Sequence, residues 1–251
     1  MGPNDKAVVL VGKAHNIHDP GTNMNLARIL RDRGVQTIPG DLLDPFHSPE
    51  VGTAWPNMTL AMGQRTLTAA ELIRKDPRLN AVYLANFGCV NDSMYPRFFG
   101  REMGDKPFLL LEIDEHSAEA GVITRCEAFL DAVANFDSAR PIEPRRLRRI
   151  PYDPDSGRVL YLPHAANGMV VWAAALRAHG INARVLPPPD SRSLAWGRRC
   201  LDGKECLPCT LMTGDMLRQI KDNGEDPDKV AFFMPRSEEH TSELQSRVSI
   251  S

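Results

Sequence analysis

Short runs of consecutive apolar, β-branched residues alternate along this chain with longer stretches in which apolar positions recur every three or four residues. Lys6–Gly12 (KAVVLVG) is the first such run, the pattern of a strand buried on both faces of a parallel sheet. Across Asn23–Arg33, Leu26, Ile29 and Leu30 share one helical face, with Thr22 as N-cap and Gly34 as the stop. Val35–Pro39 reads as the next strand.

The alternation continues with a helix over Gln64–Lys75, strands over Ala81–Ala85 and Phe108–Glu112, and a helix over Ala118–Ala134. It restarts with a strand over Val159–Pro163, a helix over Met169–His179 ended by Gly180, and a strand over Ala183–Leu186. A helix over Thr213–Lys221 and a strand over Val230–Phe233 close the series. Such alternation predicts an α/β fold with mainly parallel sheets, arranged as two Rossmann-like domains of which the second is truncated. The expected divisions are a first domain over 1–139, a Pro/Arg-rich linker over 140–157, a second domain over 158–235, and a non-native tail over 236–251.

The tail differs in kind from the rest. Arg236–Ser246 (RSEEHTSELQS) spells the translation of a common short-read sequencing-library adapter and breaks off an apolar strand just after Met234-Pro235. It is expected to be disordered and to carry no function. The run Arg145-Arg146-Leu147-Arg148-Arg149, set among Pro141, Pro144, Pro151 and Pro154, reads as solvated linker.

Composition narrows the partners. A net charge of −2 with 25% charged residues leaves no broad basic surface for nucleic acid or an anionic membrane. No window approaches the ~18 apolar residues of a membrane span, and no secretion signal opens the chain, so a cytoplasmic protein is expected. Five cysteines (Cys89, Cys126, Cys200, Cys206, Cys209) in a reducing compartment argue against a disulfide framework and leave packed thiols, metal ligands or reactive thiols. Neither a GxxxxGK[ST] phosphate loop nor a GxGxxG fingerprint is present, so no ATP site is expected here.

Ligands of open parallel sheets bind at loops leaving the carboxyl ends of strands. Four such loops are polar: Gly12–Asn16, Asn86–Ser93, Glu112–Ser117 and Gly203–Cys209. Cys89 directly follows a strand beside Gly88, which admits a bulky group close to the backbone; the alternative is a buried thiol at a strand end. Cys206 and Cys209 form C-x-x-C, with Lys204 to lower a thiol pKa and Pro208 to stiffen the turn. The motif suits half a zinc site, part of an iron–sulfur site or a dithiol redox pair. Asp114-Glu115-His116 gathers acids and an imidazole; acid–base catalysis competes there with capping of the next helix by Ser117. His164 and Trp172 are expected to pack, and Asp19-Pro20 to turn.

VVLVGKAHNIHDPGTNMNLARIL, NFGCVNDS, LLLEIDEHSAEAGVITRCEAFLD and GKECLPCTLMTGDML follow one another in an order that resembles the acyl-CoA dehydratase activase-related proteins. The resemblance spans about residues 6–235. That family joins activator-type ATPase domains to a region similar to the 2-hydroxyacyl-CoA dehydratase component. It implies a 4Fe–4S cluster held by cysteine thiolates between Rossmann-like domains, fed low-potential electrons by an ATPase activator domain or subunit, with an acyl-CoA as substrate. The parent would be a dehydratase-like lyase or an ATP-dependent reductase, and this fragment alone inactive. Carried over residue by residue, Cys89 in NFGC and Cys206 in GKEC match the ligand positions. Cys126 in TRCEAFLD and Cys209 are weaker matches, and Cys200 weaker still. The resemblance also raises Glu115 and His116 as catalytic candidates. Val90-Asn91 stands where Gly-Pro is expected, and Gly12-Lys13-Ala14-His15-Asn16 where Gly-Arg-Pro-Tyr-Asn is expected. A third ligand is expected in a block that follows Met234-Pro235 in the family.

Overall fold

The computed structural model describes residues 6–43, 48–137, 140–146, 152–201 and 203–234, with Ser249–Ile250 as backbone. The chain divides into two compact units, Met1–Leu147 and Arg148–Ser251. In chain order the first contains β1 (Ala7–Gly12), α1 (Ala14–His18), α2 (Leu26–Arg31), β2 (Gln36–Pro39), α3 (Pro49–Ala54), α4 (Ala61–Lys75), β3 (Leu79–Asn86), α5 (Val90–Met103), β4 (Phe108–Ile113) and α6 (Glu119–Ala134). The second contains β5 (Val159–Leu162), α7 (Gly168–Ala178), β6 (Ala183–Val185), α8 (Ser191–Cys200), α9 (Leu207–Lys221), β7 (Val230–Met234) and β8 (Ser249–Ile250).

The first sheet has the order β2-β1-β3-β4, every pair parallel, with Val9 opposite Ala81 and Leu84 opposite Leu111. Because strand side chains alternate faces, β1 supplies two cores. Ala7, Val9 and Val11 meet Ala69, Ala70 and Ile73 of α4 and Tyr95, Phe99 and Met103 of α5. Val8 and Leu10 meet Leu26, Ile29 and Leu30 of α2 and Val122, Cys126 and Phe129 of α6 on the other side. The second sheet repeats the theme with parallel strands in the order β6-β5-β7. Leu160, Leu162 and Phe233 pack on Ala173 of α7, while Tyr161 and Val230 pack near Met216 and Ile220 of α9. Both units are thus α/β with parallel sheets and interleaved helices, consistent with Rossmann-like domains.

Several local expectations are corrected. Helix α2 begins after Asn25, in the left-handed region, rather than after Thr22, because residues 20–25 first turn back on themselves. Helices α5 and α8 were not anticipated. His164 and Trp172 do not bury: His164 is exposed and Trp172 is 50% exposed, its ring tilted against Phe233. Within the tail, Ser249–Ile250 pairs antiparallel with Phe233 and Met234; residues 235–248 and 251 lie outside the described residues.

The described start of the proline-flanked basic run, Arg145 and Arg146, is more ordered than a solvated linker. The backbone N–H of Arg145 donates to the carbonyl of Arg101, and Arg74 donates to the carbonyl of Ile142. Arg146 forks onto Glu102 at 3.0 and 2.7 Å. Glu102 is fully buried and also receives the Trp55 indole N–H and Arg74. A buried carboxylate demands such donors, so residues 140–146 are a strap on the first unit. Arg148 and Arg149 lie outside the described residues.

Candidate functional site

Strand β1 ends at Gly12, which pairs with Leu84 of β3, so the loops leaving these neighbouring strands open at one carboxyl edge. Lys13 follows β1 as the N-cap residue of α1. Two residues beyond β3, Gly88 turns the chain with φ of 74°, a conformation suited to glycine, and Cys89 becomes the N-cap residue of the 14-residue α5. The Cys89 carbonyl accepts the first-turn N–H and the hydroxyl of Ser93.

The side chains then converge. Lys13 Nζ donates to Cys89 Sγ at 2.8 Å and lies 3.2 Å from Asp92 Oδ2. That same oxygen accepts the N–H of Asn86 at 2.9 Å, and the Asn16 amide donates to Asn86 Oδ1. Asp92 is buried at 1% exposure, whereas Lys13 keeps 24% of its side chain in solvent. Among the described residues, Asp92 Oδ1 and Asn16 Oδ1 are buried without a hydrogen-bond partner.

Burial pushes the Cys89 thiol up, but the Lys13 ammonium and the N–H groups of Asp92 and Asn91 at the start of α5 outweigh it and hold the pKa below the ordinary value. Burial pulls Lys13 down, and its contacts to Cys89 and Asp92 reverse this and hold it above its ordinary value. The two shifts agree in direction: the contact favours the charged form of each partner.

The remaining candidates divide. Glu115 and His116 follow β4, whose end lies beside that of β3 through the bond from Phe87 N–H to the Ile113 carbonyl. They stand 3.7 Å apart at 82% and 84% exposure, and project from the fold rather than into a cleft. Ser117 does not cap α6. Its hydroxyl turns back to Asp114 Oδ1 and accepts the Asp114 N–H, and Ala118 is the N-cap residue without a side-chain bond. The Ser117 hydroxyl, despite some desolvation, holds Asp114 below the usual carboxylate range, helped by the His116 N–H.

Cys126 is fully buried in the core between α6 and the sheet, and burial pushes its thiol up to about 11. One of the weaker ligand candidates, it is packed here among Val122, Phe129 and the sheet. In the second unit, Cys206 is the exposed N-cap residue of the 15-residue α9, its carbonyl accepting the N–H and hydroxyl of Thr210. Cys209 is half-buried and Cys200 is exposed at the end of α8, and neither is in a disulfide. Among the described residues no group of three or more His, Cys, Asp or Glu is placed to hold a metal ion.

A cleft of about 160 Å³ opens at the carboxyl edge of β1 and β2, lined by Ile17, Asp41, Met62, Arg65 and Thr66 among others. It falls below the roughly 300–1,000 Å³ of sites that enclose whole small molecules. No helix among the described residues is long and apolar enough to cross a membrane.

The fold and site define an α/β protein with a lysine-paired cysteine at the carboxyl edge of a parallel sheet. In comparisons with known proteins, no family model matches the chain and no curated protein matches it significantly.

Proposed function

We propose that the chain is the iron–sulfur-binding redox module of a larger acyl-CoA dehydratase activase-related protein. Cys89 and Cys206 are its cluster ligands, an ATPase activator its electron donor, an acyl-CoA its substrate, and the cytoplasm its setting. The observation that carries this reading is the setting of Cys89: a partly exposed sulfur at a sheet edge, 2.8 Å from the Lys13 ammonium at the first turn of α5, both of which favour its thiolate form. Soft thiolates at the starts of helices suit iron and an anionic cluster. Cys206 offers a second exposed sulfur at the first turn of α9. Cys209 stands one helical turn further on as a weaker candidate.

A bound cluster would supply one-electron chemistry at low potential. The protein's part is then to present the sulfurs, to exclude competing thiols such as Cys126, and to set the local charge through Lys13 and Asp92. Glu115 and His116, exposed beyond β4, are better placed to meet a partner or substrate than to act as a buried acid–base pair.

The test is anaerobic reconstitution of the whole parent protein with ferrous iron and sulfide, followed by iron and acid-labile sulfide analysis. Substantial iron in the wild type, lost in Cys89→Ser and in Cys206→Ser, is expected. A parent without iron, or a Cys89→Ser variant as iron-rich as wild type, would leave the reading without support and favour an α/β partner- or acyl-CoA-binding module with packed cysteines.

A further inference from the structure

We infer that Lys13 is the resident counter-cation of a two-donor metal site formed by Cys89 Sγ and Asp92 Oδ2, and that a thiophilic divalent cation takes its place. The inference rests on the proposal that Cys89 is a metal donor, and adds to it Asp92 as a second donor and Lys13 as the group displaced. Three observations carry it.

The sulfur and the carboxylate oxygen lie 2.8 and 3.2 Å from one ammonium nitrogen, so both already point at a single cation position. A mixed sulfur and oxygen donor pair is chemistry that zinc, cadmium and ferrous iron accept.

The Asp92 carboxylate has more acceptor capacity than the donors supplied to it. Asp92 is almost completely buried, and its Oδ1 has no partner among the described residues. Buried oxygens left without donors are costly. A cation with several coordination positions satisfies more of them than one ammonium held at the end of a fixed arm.

Lys13 is also the part of the cluster free to leave. About a quarter of its side chain is exposed and its arm is flexible, while Asp92 is held by the Asn86 N–H and Cys89 by the start of α5. Departure of the ammonium into solvent leaves two negative donors, a thiolate and a carboxylate, whose charge an arriving divalent cation neutralises.

The test uses the full chain, metal-free, with Cys200, Cys206 and Cys209 replaced by serine so that Cys89 is the accessible thiol. Cadmium is titrated in and followed by near-ultraviolet sulfur-to-cadmium charge-transfer absorption. Binding is expected with Lys13 present, about tenfold tighter in Lys13→Leu because the competing ion pair is gone, and within about threefold of the parent in Lys13→Arg. Lys13→Gln, which keeps an uncharged polar arm, repeats the comparison if leucine disturbs the fold by circular dichroism. Equal affinity with and without the Lys13 charge overturns its role as occupant while leaving Cys89 a donor. Absorption that is absent throughout, or that survives Cys89→Ser, overturns the site and the ligand role of Cys89 together. Affinity unchanged by Asp92→Asn in the Lys13→Leu background removes the carboxylate from the donor set.

Discussion

Gly214 of α9 lies directly against the carbonyl oxygen of Ser193 in α8, leaving no room for a Cβ atom. Gly197 of α8 meets the Thr210 carbonyl in the same way, so the two helices cross with their backbones nearly in contact. Gly214→Ala should push the helices apart and cost about 3 kcal/mol. Hydrogen exchange resolved by segment should show lost protection in α8 and α9 with the first unit unchanged. Retained protection would mean that the pair relaxes without cost.

The buried carboxylate under the strap gives an asymmetric expectation. Glu102→Gln leaves Arg74 and Arg146 without their anion and should destabilise the first unit by about 3 kcal/mol. Arg146→Ala should cost less, about 1 kcal/mol, because Arg146 is 31% exposed and Glu102 keeps Arg74 and Trp55. Urea unfolding of the two variants should rank them in that order.

Lys106 supplies a pH dependence. Its ammonium is buried and donates to the carbonyls of Ile73 and Asp76 at the end of α4, and burial pulls its pKa down to about 8. A lysine depressed in the folded state binds fewer protons there than in the unfolded chain. Its burial therefore costs stability fully below about pH 8, and the cost is lifted as pH rises towards the ordinary value of about 10.4. Relative to Lys106→Met, wild type should gain about 3 kcal/mol across that window. A flat difference curve between the two would contradict it.

Thiol accessibility separates the five cysteines. In the native chain Cys200 and Cys206, both exposed, should react promptly with an alkylating reagent, whereas Cys126 should react only on unfolding. Cys89, whose thiol is held below its ordinary value, should keep reacting at pH values where an ordinary cysteine thiol in a model peptide slows. Peptide mapping of the labelled sites decides the order, and early labelling of Cys126 would show that the α6 core opens.

The strands were legible because their residues are buried on both faces, leaving continuous apolar runs such as Ala7–Val11 and Ala81–Ala85. Helix α5 is obscured in the sequence, although Tyr95, Phe99 and Met103 repeat every fourth residue, because Pro96 interrupts its first turns and the polar stretch 86–93 has the composition of a loop. Helix α8 has no apolar stripe to read: its contact face is Ser193 and Gly197, and backbone approach does the packing. Within the site, Cys89 was visible from its place after a strand. Lys13 was not marked as its partner, since 76 residues separate them and only the β1–β3 register brings them together. Asp92 was hidden for a related reason, as an acid in the first turn of an unread helix.

The strap over Glu102 fixes where the chain can be cut. A first domain excised at residue 139 would lose the Arg146 fork and the backbone bonds to Ile142 and Arg145, exposing one side of a carboxylate that the fold keeps dry. Excision after Leu147 retains them. The first part of the proline-rich stretch that reads as a joint is thus, through Arg146, the closing piece of the first unit, and residues 140–146 travel with that unit when the two are separated.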